Sequence, residues 1–331
     1  MTEGNSIGEF ELIARYFAPI AGPGGLGLLD DAGLLRPARG YEIVVTADAL
    51  VAGVHFFDDD PSDSIARKAL GVNLSDLAAK GARPDGFVLT LALPRGWDEA
   101  WLAAFATGLG AMAQAAGCPL LGGDTVSTSG PLTLSITAFG SVPAGRMVLR
   151  SGAKPGDAIL VSGTIGDGAL GLKAHGPDRP DWVAALSADH RRHLVDRYLH
   201  PRPRWALAEI LQASASAAMD VSDGLVGDLA KLLKASGVGA EIDLEAVPLS
   251  DAARAAIMAD PALKELAWTG GDDYEILLTA ADGEVPSLTA AATEKGVPLT
   301  VIGRVTAGAG PAVYREAGRG RLFRRGSFAH F

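Results

Sequence analysis

Along the chain, apolar positions switch repeatedly between helical and strand spacing. In GEFELIARYF, Phe10, Ile13 and Phe17 fall roughly on one helix face, which predicts a short amphipathic helix. GPGGLG, Gly22 to Gly27, reads as a loop. YEIVVTADAL predicts a strand running into Asp48, and DSIARKALGVNLSDLAAKGA predicts a helix. Ser62 or Asp63 can cap that helix, Gly81 can end it and Pro84 enforces the stop. FVLTLALP predicts a strand, and Trp97 to Ala116 a helix whose Asp98 and Glu99 suit the dipole of its first turn. CPLLGGDT predicts a strand that ends in a loop, and LTLSITAFGSV a long strand.

The pattern breaks at MVLRSGAKPGD, where Gly, Pro and Lys separate the long strand from a new one, AILVSG. The break predicts two domains, 1–148 and 149–331. In the second, HGPDRPDW reads as a polar surface insertion and HPRPRW as a stiff turn. A helix follows Asp223, then come strands AEIDL, YEILLTA and LTVIGRV and a helix near 285–295. Both halves mix strands and helices, so the predicted fold class is α/β. No internal repeat or low-complexity tract interrupts them.

Length agrees with this division, since 331 residues exceed one core of ordinary size. A formal net charge of -10 argues against nucleic acid or an anionic membrane as the main partner. It leaves room for anionic small molecules if metal ions intervene. One cysteine, Cys118, permits no internal disulfide and fits a reducing compartment. No signal-peptide pattern opens the sequence, and no run of 18 apolar residues suggests a membrane span. The expectation is a cytoplasmic protein.

Candidate chemistry begins with two nucleotide patterns. A Walker A loop is excluded, because in GDGALGLKA the lysine comes one place late and no hydroxyl follows. The same string satisfies GxGxxG through Gly166, Gly168 and Gly171, so a dinucleotide-dependent oxidoreductase is a rival reading. It lacks the second strand with a terminal acid about 20 residues on. A stronger signal is acids at the ends of apolar stretches: Asp30 and Asp31, Asp48, Asp76, Asp124, Asp220 and Asp223, and Asp272, Asp273 and Glu275. One Asp beside Gly is ordinarily a turn former or a cap. Asp76 resists that explanation, being inside a helix among Leu74, Leu77 and Ala78. Six acidic motifs with few balancing bases favour divalent cations, and oxygen ligands suit Mg²⁺ with phosphates completing the shell. Glycines in GGD and VSDGL would let backbone N–H groups approach phosphate, and Arg150 and Lys154 are candidate phosphate contacts.

Taken in order, GEFELIARYF, DDAGLL, TADALVAGVHF, KALGVNLSDLAAKGARP, LLGGDT, RSGAKPGD, DVSDGL, GGDDYE and a terminal HF resemble the thiamine-monophosphate kinase family of the aminoimidazole ribonucleotide synthetase-like superfamily. The resemblance implies a two-domain fold with an N-terminal ferredoxin-like βα domain that forms a homodimer, and a C-terminal α/β domain. It implies ATP-dependent phosphorylation of thiamine monophosphate with several Mg²⁺ ions. By motif position, Asp31, Thr46, Asp48, Asp76, Asp124, Asp220 and Asp223 would hold metal, with Ala47 giving its carbonyl. Gly123, Asp124, Arg150 and Ser222 would meet ATP; His55, Asp272 and Phe328 would meet thiamine phosphate. The sequence departs from the family pattern at Leu29, Ala47, Lys80, Asp272 (usually Glu) and Phe328. Selenophosphate synthetase needs a reactive residue near its N-terminus, whereas Cys118 reads as an inert member of an apolar strand. The hydrogenase-maturation relative ends in a reactive cysteine, and this chain ends in GSFAHF. No residue is nominated as base or nucleophile, because a phosphate acceptor is already ionised near neutral pH. A catalytically weakened nucleotide-binding regulator is the alternative of a different class.

Overall fold

A computed structural model describes residues 8–323 and divides the chain into two compact units. Of the described residues, the first comprises those up to Leu77 together with Arg83–Gly145, and the second comprises Ala78–Ala82 and those from Arg146 on. No described helix is long and apolar enough to cross a membrane.

In the first unit, β1 (Tyr41–Val51), β2 (Arg83–Pro94), β3 (Leu120–Thr128) and β4 (Thr133–Pro143) form a sheet in the order β1-β4-β2-β3. Only β2 and β3 run parallel, joined by the helix Glu99–Ala116. β4 alternates half-buried and buried residues over Thr133–Phe139, so Leu134, Ile136 and Ala138 face the core. The helix Ser62–Ala79 carries the NLSD motif, with Asp76 in its last turn and Gly81 at φ +69° just past its end.

Several expectations are corrected here. GEFELIARYF folds as a helix, Glu9–Leu12, continuing into a π-helical turn, Ile13–Phe17. That turn rotates the faces, so Leu12 and Phe17 are buried and Phe10 is 87% exposed. GGD is not a loop after a strand but the interior of β3. Cys118 lies between the helix and β3, buried, rather than in a strand. Most of the acids at the ends of apolar stretches are half-buried or exposed: Asp30, Asp31 and Asp124 are exposed, and Asp48, Asp76, Asp223 and Asp272 half-buried.

In the second unit, seven strands take the order β11-β10-β7-β9-β5-β8-β6. These are β5 (Ala158–Ser162), β6 (Ala217–Val221), β7 (Gly239–Asp243), β8 (Glu275–Ala280), β9 (Leu299–Thr306), β10 (Ala312–Glu316) and β11 (Arg319–Arg321). Every residue of β5, β6 and β8 is buried, which explains why their sequences are apolar except at Ser162, Asp220, Glu275 and Thr279. HGPDRPDW is only partly a surface insertion: its last residue, Trp182, is buried in a cluster with Leu170 and Leu194.

Candidate active site

β1 brings Thr46, Ala47 and Asp48 into the first unit, with Thr46 and Asp48 on one face and Ala47 on the other. Thr46 Oγ1 donates to Asp76 Oδ2, so the end of the helix Ser62–Ala79 meets β1 at the predicted pair. Across the sheet, Ala49 pairs with Ser135, Ser135 with Thr90 and Thr90 with Asp124. Asp124 therefore shares a row with Ala49, one residue past Asp48 and on the opposite face. A cavity of about 500 Å³ is lined by Asp30, Asp31, Gly123 and Asp124, with Leu89 and Leu121 among its apolar walls. Among the predicted ligands of this unit, Thr46 meets Asp76, Asp31 and Asp124 line one cavity, and Asp48 shares the Thr46 face of β1. His55 is half-buried, and its Nδ1 accepts the N–H of Val51 at 3.0 Å.

Gly123 also has a role in the sheet itself. A Cβ there would lie 1.9 Å from the carbonyl oxygen of Leu89, so the parallel pairing of β2 and β3 requires glycine.

In the second unit, β6 ends with Asp220, 4% exposed, and Val221, and the chain turns through Ser222, Asp223 and Gly224 into the helix Leu225–Ser236. Gly224 has φ +116°, and a Cβ would lie 2.5 Å from the carbonyl of Thr269. Asp228, fully buried, reaches back so that its Oδ2 accepts the N–H groups of Ser222 at 3.1 Å and Asp223 at 2.9 Å. Lys231 donates to Asp223 Oδ2 and, at 2.8 Å, to Asp228 Oδ1. Burial pushes the Asp228 carboxyl up, partly offset by Lys231. Sequence reasoning missed both residues. The signal was an acid at position 228, on the same helix face as Leu225 and Leu232. Arg150 is exposed, and its carbonyl accepts from Ser236 Oγ at 3.1 Å.

GGDDYE divides its three acids. Glu275, fully buried at the start of β8, accepts from Ser162 Oγ at 2.6 Å, Arg197 at 3.0 Å and Arg204 Nε at 2.7 Å. Asp273, also fully buried, accepts the N–H groups of Gly166 at 2.7 Å and Gly168 at 3.0 Å. Burial raises the Asp273 carboxyl well above its usual range, against the pull of those two N–H groups. Asp272 is half-buried and takes the Tyr274 hydroxyl on Oδ1 at 3.2 Å. The dinucleotide reading fails at this point: the first two glycine amides of GxGxxG hold the chain's own carboxylate. β5 before them also pairs only antiparallel, with β8 and β9. Lys80, a departure from the family pattern, donates to the carbonyl of Ala218 at 2.7 Å. Phe328 lies outside the described residues. Among the described residues, no group of three or more His, Cys, Asp or Glu side chains is gathered closely enough to hold one metal ion.

Residues 29–142 match the N-terminal domain of AIR synthase related proteins, and residues 154–316 match their C-terminal domain. Fold and sequence together define a two-domain protein of this class. The chain is 45% identical over 312 residues to the thiamine-monophosphate kinase of Caulobacter vibrioides, across 92% of this chain and 86% of that one. The crystal structure of thiamine-monophosphate kinase from Stenotrophomonas maltophilia superposes with a TM-score of 0.80 at 41% identity, covering 89% of this chain and 91% of that one. AaThiL complexed with AMPPCP and TMP superposes at 0.74 and 27% identity, covering 100% and 99%. The chain belongs to the thiamine-monophosphate kinase family.

Proposed function

We infer that this protein transfers the γ-phosphoryl group of ATP directly to thiamine monophosphate, giving thiamine diphosphate and ADP. The observation that carries this reading is the 45% identity, over nearly the whole chain, to a thiamine-monophosphate kinase. The relative that holds both AMPPCP and TMP supports a site for two anionic ligands at once.

The residues present fit Mg²⁺. Their donors are oxygens only: carboxylates, the Thr46 hydroxyl and the Ala47 carbonyl. Among the described residues, the side-chain acids do not close a cage of three or more. That suits an ion that keeps waters and takes substrate phosphate oxygens. In this reading Asp31, Thr46, Ala47, Asp48, Asp76, Asp124, Asp220 and Asp223 hold several Mg²⁺ ions. Lys231 occupies Oδ2 of Asp223, so its Oδ1 is the oxygen assigned to a cation. Bound Mg²⁺ supplies charge neutralisation between two anions that otherwise repel. Gly123, Asp124, Arg150 and Ser222 meet ATP; His55, Asp272 and Phe328 meet thiamine phosphate.

The acceptor oxygen is ionised near neutral pH, so no side chain has to remove a proton. The new O–P bond forms as the bond from the β,γ-bridging oxygen to the γ-phosphorus breaks, and ADP leaves with that electron pair. The chain's task is to hold the two phosphates in line. The same reading makes the protein a cytoplasmic homodimer joined through its first unit, with no nucleic-acid or membrane partner.

Incubation with ATP, Mg²⁺ and thiamine monophosphate, followed by mass analysis, tests the reading. Thiamine diphosphate is the expected product. Mg²⁺-dependent ATP binding with no product would mark a nucleotide-binding regulator, and labelled phosphate trapped on the protein would overturn direct transfer.

A further inference from the structure

Asp272 and Tyr274 both adopt left-handed backbone conformations, at φ +72° and +51°. Residues with side chains rarely accept this region, and where they do the surrounding structure must hold them there. The two glycines just before, Gly270 and Gly271, do not use it. Gly271 is instead required by a close approach, since a Cβ would lie 2.3 Å from the carbonyl of Ser222. Side chains therefore stand at the two strained positions, beside glycines spent on packing.

The hold comes from both sides. Asp273, between the two, anchors its carboxylate on the Gly166 and Gly168 amides. Its carbonyl accepts from buried Arg197 at 3.0 Å. Gly168 is itself constrained, because a Cβ would lie 2.3 Å from the carbonyl oxygen of Asp272. On the other side, the N–H groups of Asp272 and Tyr274 donate to the carbonyls of Ser222 at 2.9 Å and Val221 at 2.8 Å. The Tyr274 hydroxyl then donates to the Asp272 carboxylate.

We propose that Asp273 and Tyr274 are positioning residues for thiamine monophosphate. Asp273 fixes the backbone that presents Asp272, and the Tyr274 hydroxyl sets the direction of its carboxylate. This rests on the reading that Asp272 meets the substrate. A side chain one methylene shorter than the family's usual Glu depends more on how its backbone is presented.

Steady-state kinetics with each substrate varied in turn test the proposal. Product formation by the wild-type protein, and a raised KM for thiamine monophosphate in Asp272→Ala, establish the underlying reading. Tyr274→Phe and Asp273→Asn are then expected to raise that KM about 3- to 10-fold, the effect of one lost hydrogen bond. KM for ATP should stay within about twofold, since the affected bond is not to ATP. Tyr274 is half-buried and loses only its hydroxyl, so Tyr274→Phe should melt like wild type and its result stands even if Asp273→Asn does not fold. A purely structural role would lower melting temperature or active fraction without moving one KM alone. An unchanged KM in folded Tyr274→Phe, with a raised KM in Asp272→Ala, overturns the proposal alone. An unchanged KM in Asp272→Ala removes the assignment of Asp272 and the proposal with it.

Discussion

Single residues divide into those whose chemistry the sequence displays and those whose partners decide it. The acids Asp48, Asp76 and Asp220 stand out in the sequence because each ends or interrupts an apolar stretch. The fate of GGDDYE is not legible: its three acids look equivalent, yet two are consumed by distant partners. Arg197 lies 78 positions from Glu275 in the chain, and Gly166 lies 107 from Asp273. Asp76→Asn and Asp220→Asn are each expected to lower turnover by about 10²- to 10³-fold, through lost charge at the transferring phosphate, with unchanged circular dichroism. Near-normal rates in both would remove the metal assignment. Cys118 makes a different prediction. Burial pushes its thiol up to about 12, so alkylation near neutral pH should be negligible in the native protein and become rapid only as denaturant unfolds it.

At the level of elements, the periodicity located most strands and the long helices, because each buries one face or both. It misjudged GGD, because paired glycines resemble a turn when only local propensity is considered. What keeps them in β3 is the neighbouring strand. This yields a matched pair of variants. Gly122→Ala has only Val88 Cγ1 at 4.0 Å and should be close to neutral, whereas Gly123→Ala meets Leu89 backbone and must part β2 from β3. The expected loss for Gly123→Ala is about 1–3 kcal/mol by urea unfolding. Equal stability of the two variants would contradict the close approach. The N-terminal segment failed for another reason: a π-helical turn shifts the register by one residue, which spacing of 3.6 residues cannot anticipate.

For the whole molecule, acid stability follows from a buried carboxylate. Burial alone would raise Asp167, but hydrogen bonds from His193, Ser250 and Thr164 outweigh it and the carboxyl ends below its ordinary value. A carboxyl lower in the folded chain than in the unfolded chain adds stability above the unfolded value, near 3.8. That contribution is lost as pH falls through the folded value. Ser250→Ala should therefore destabilise more at about pH 6 than at about pH 3. The part that persists in acid is the helix cap Ser250 makes to Ala253. A pH-independent difference would mean Asp167 gains nothing from Ser250.

The assignment of Ala78–Ala82 to the second unit bears on how the chain is made. Ala78 and Ala79 join the core of Leu207, Leu211 and Ala218, and Lys80 reaches the carbonyl of a residue 138 positions later. At about 5–20 residues per second, a ribosome needs roughly 7 to 28 seconds to add that stretch. Through that interval the first unit can close its sheet, but Ala78 and Ala79, the end of its NLSD helix, have no core to enter. Ala78 to Lys80, two to four residues past Asp76, therefore settle only late in synthesis, when the rest of their own unit has been made.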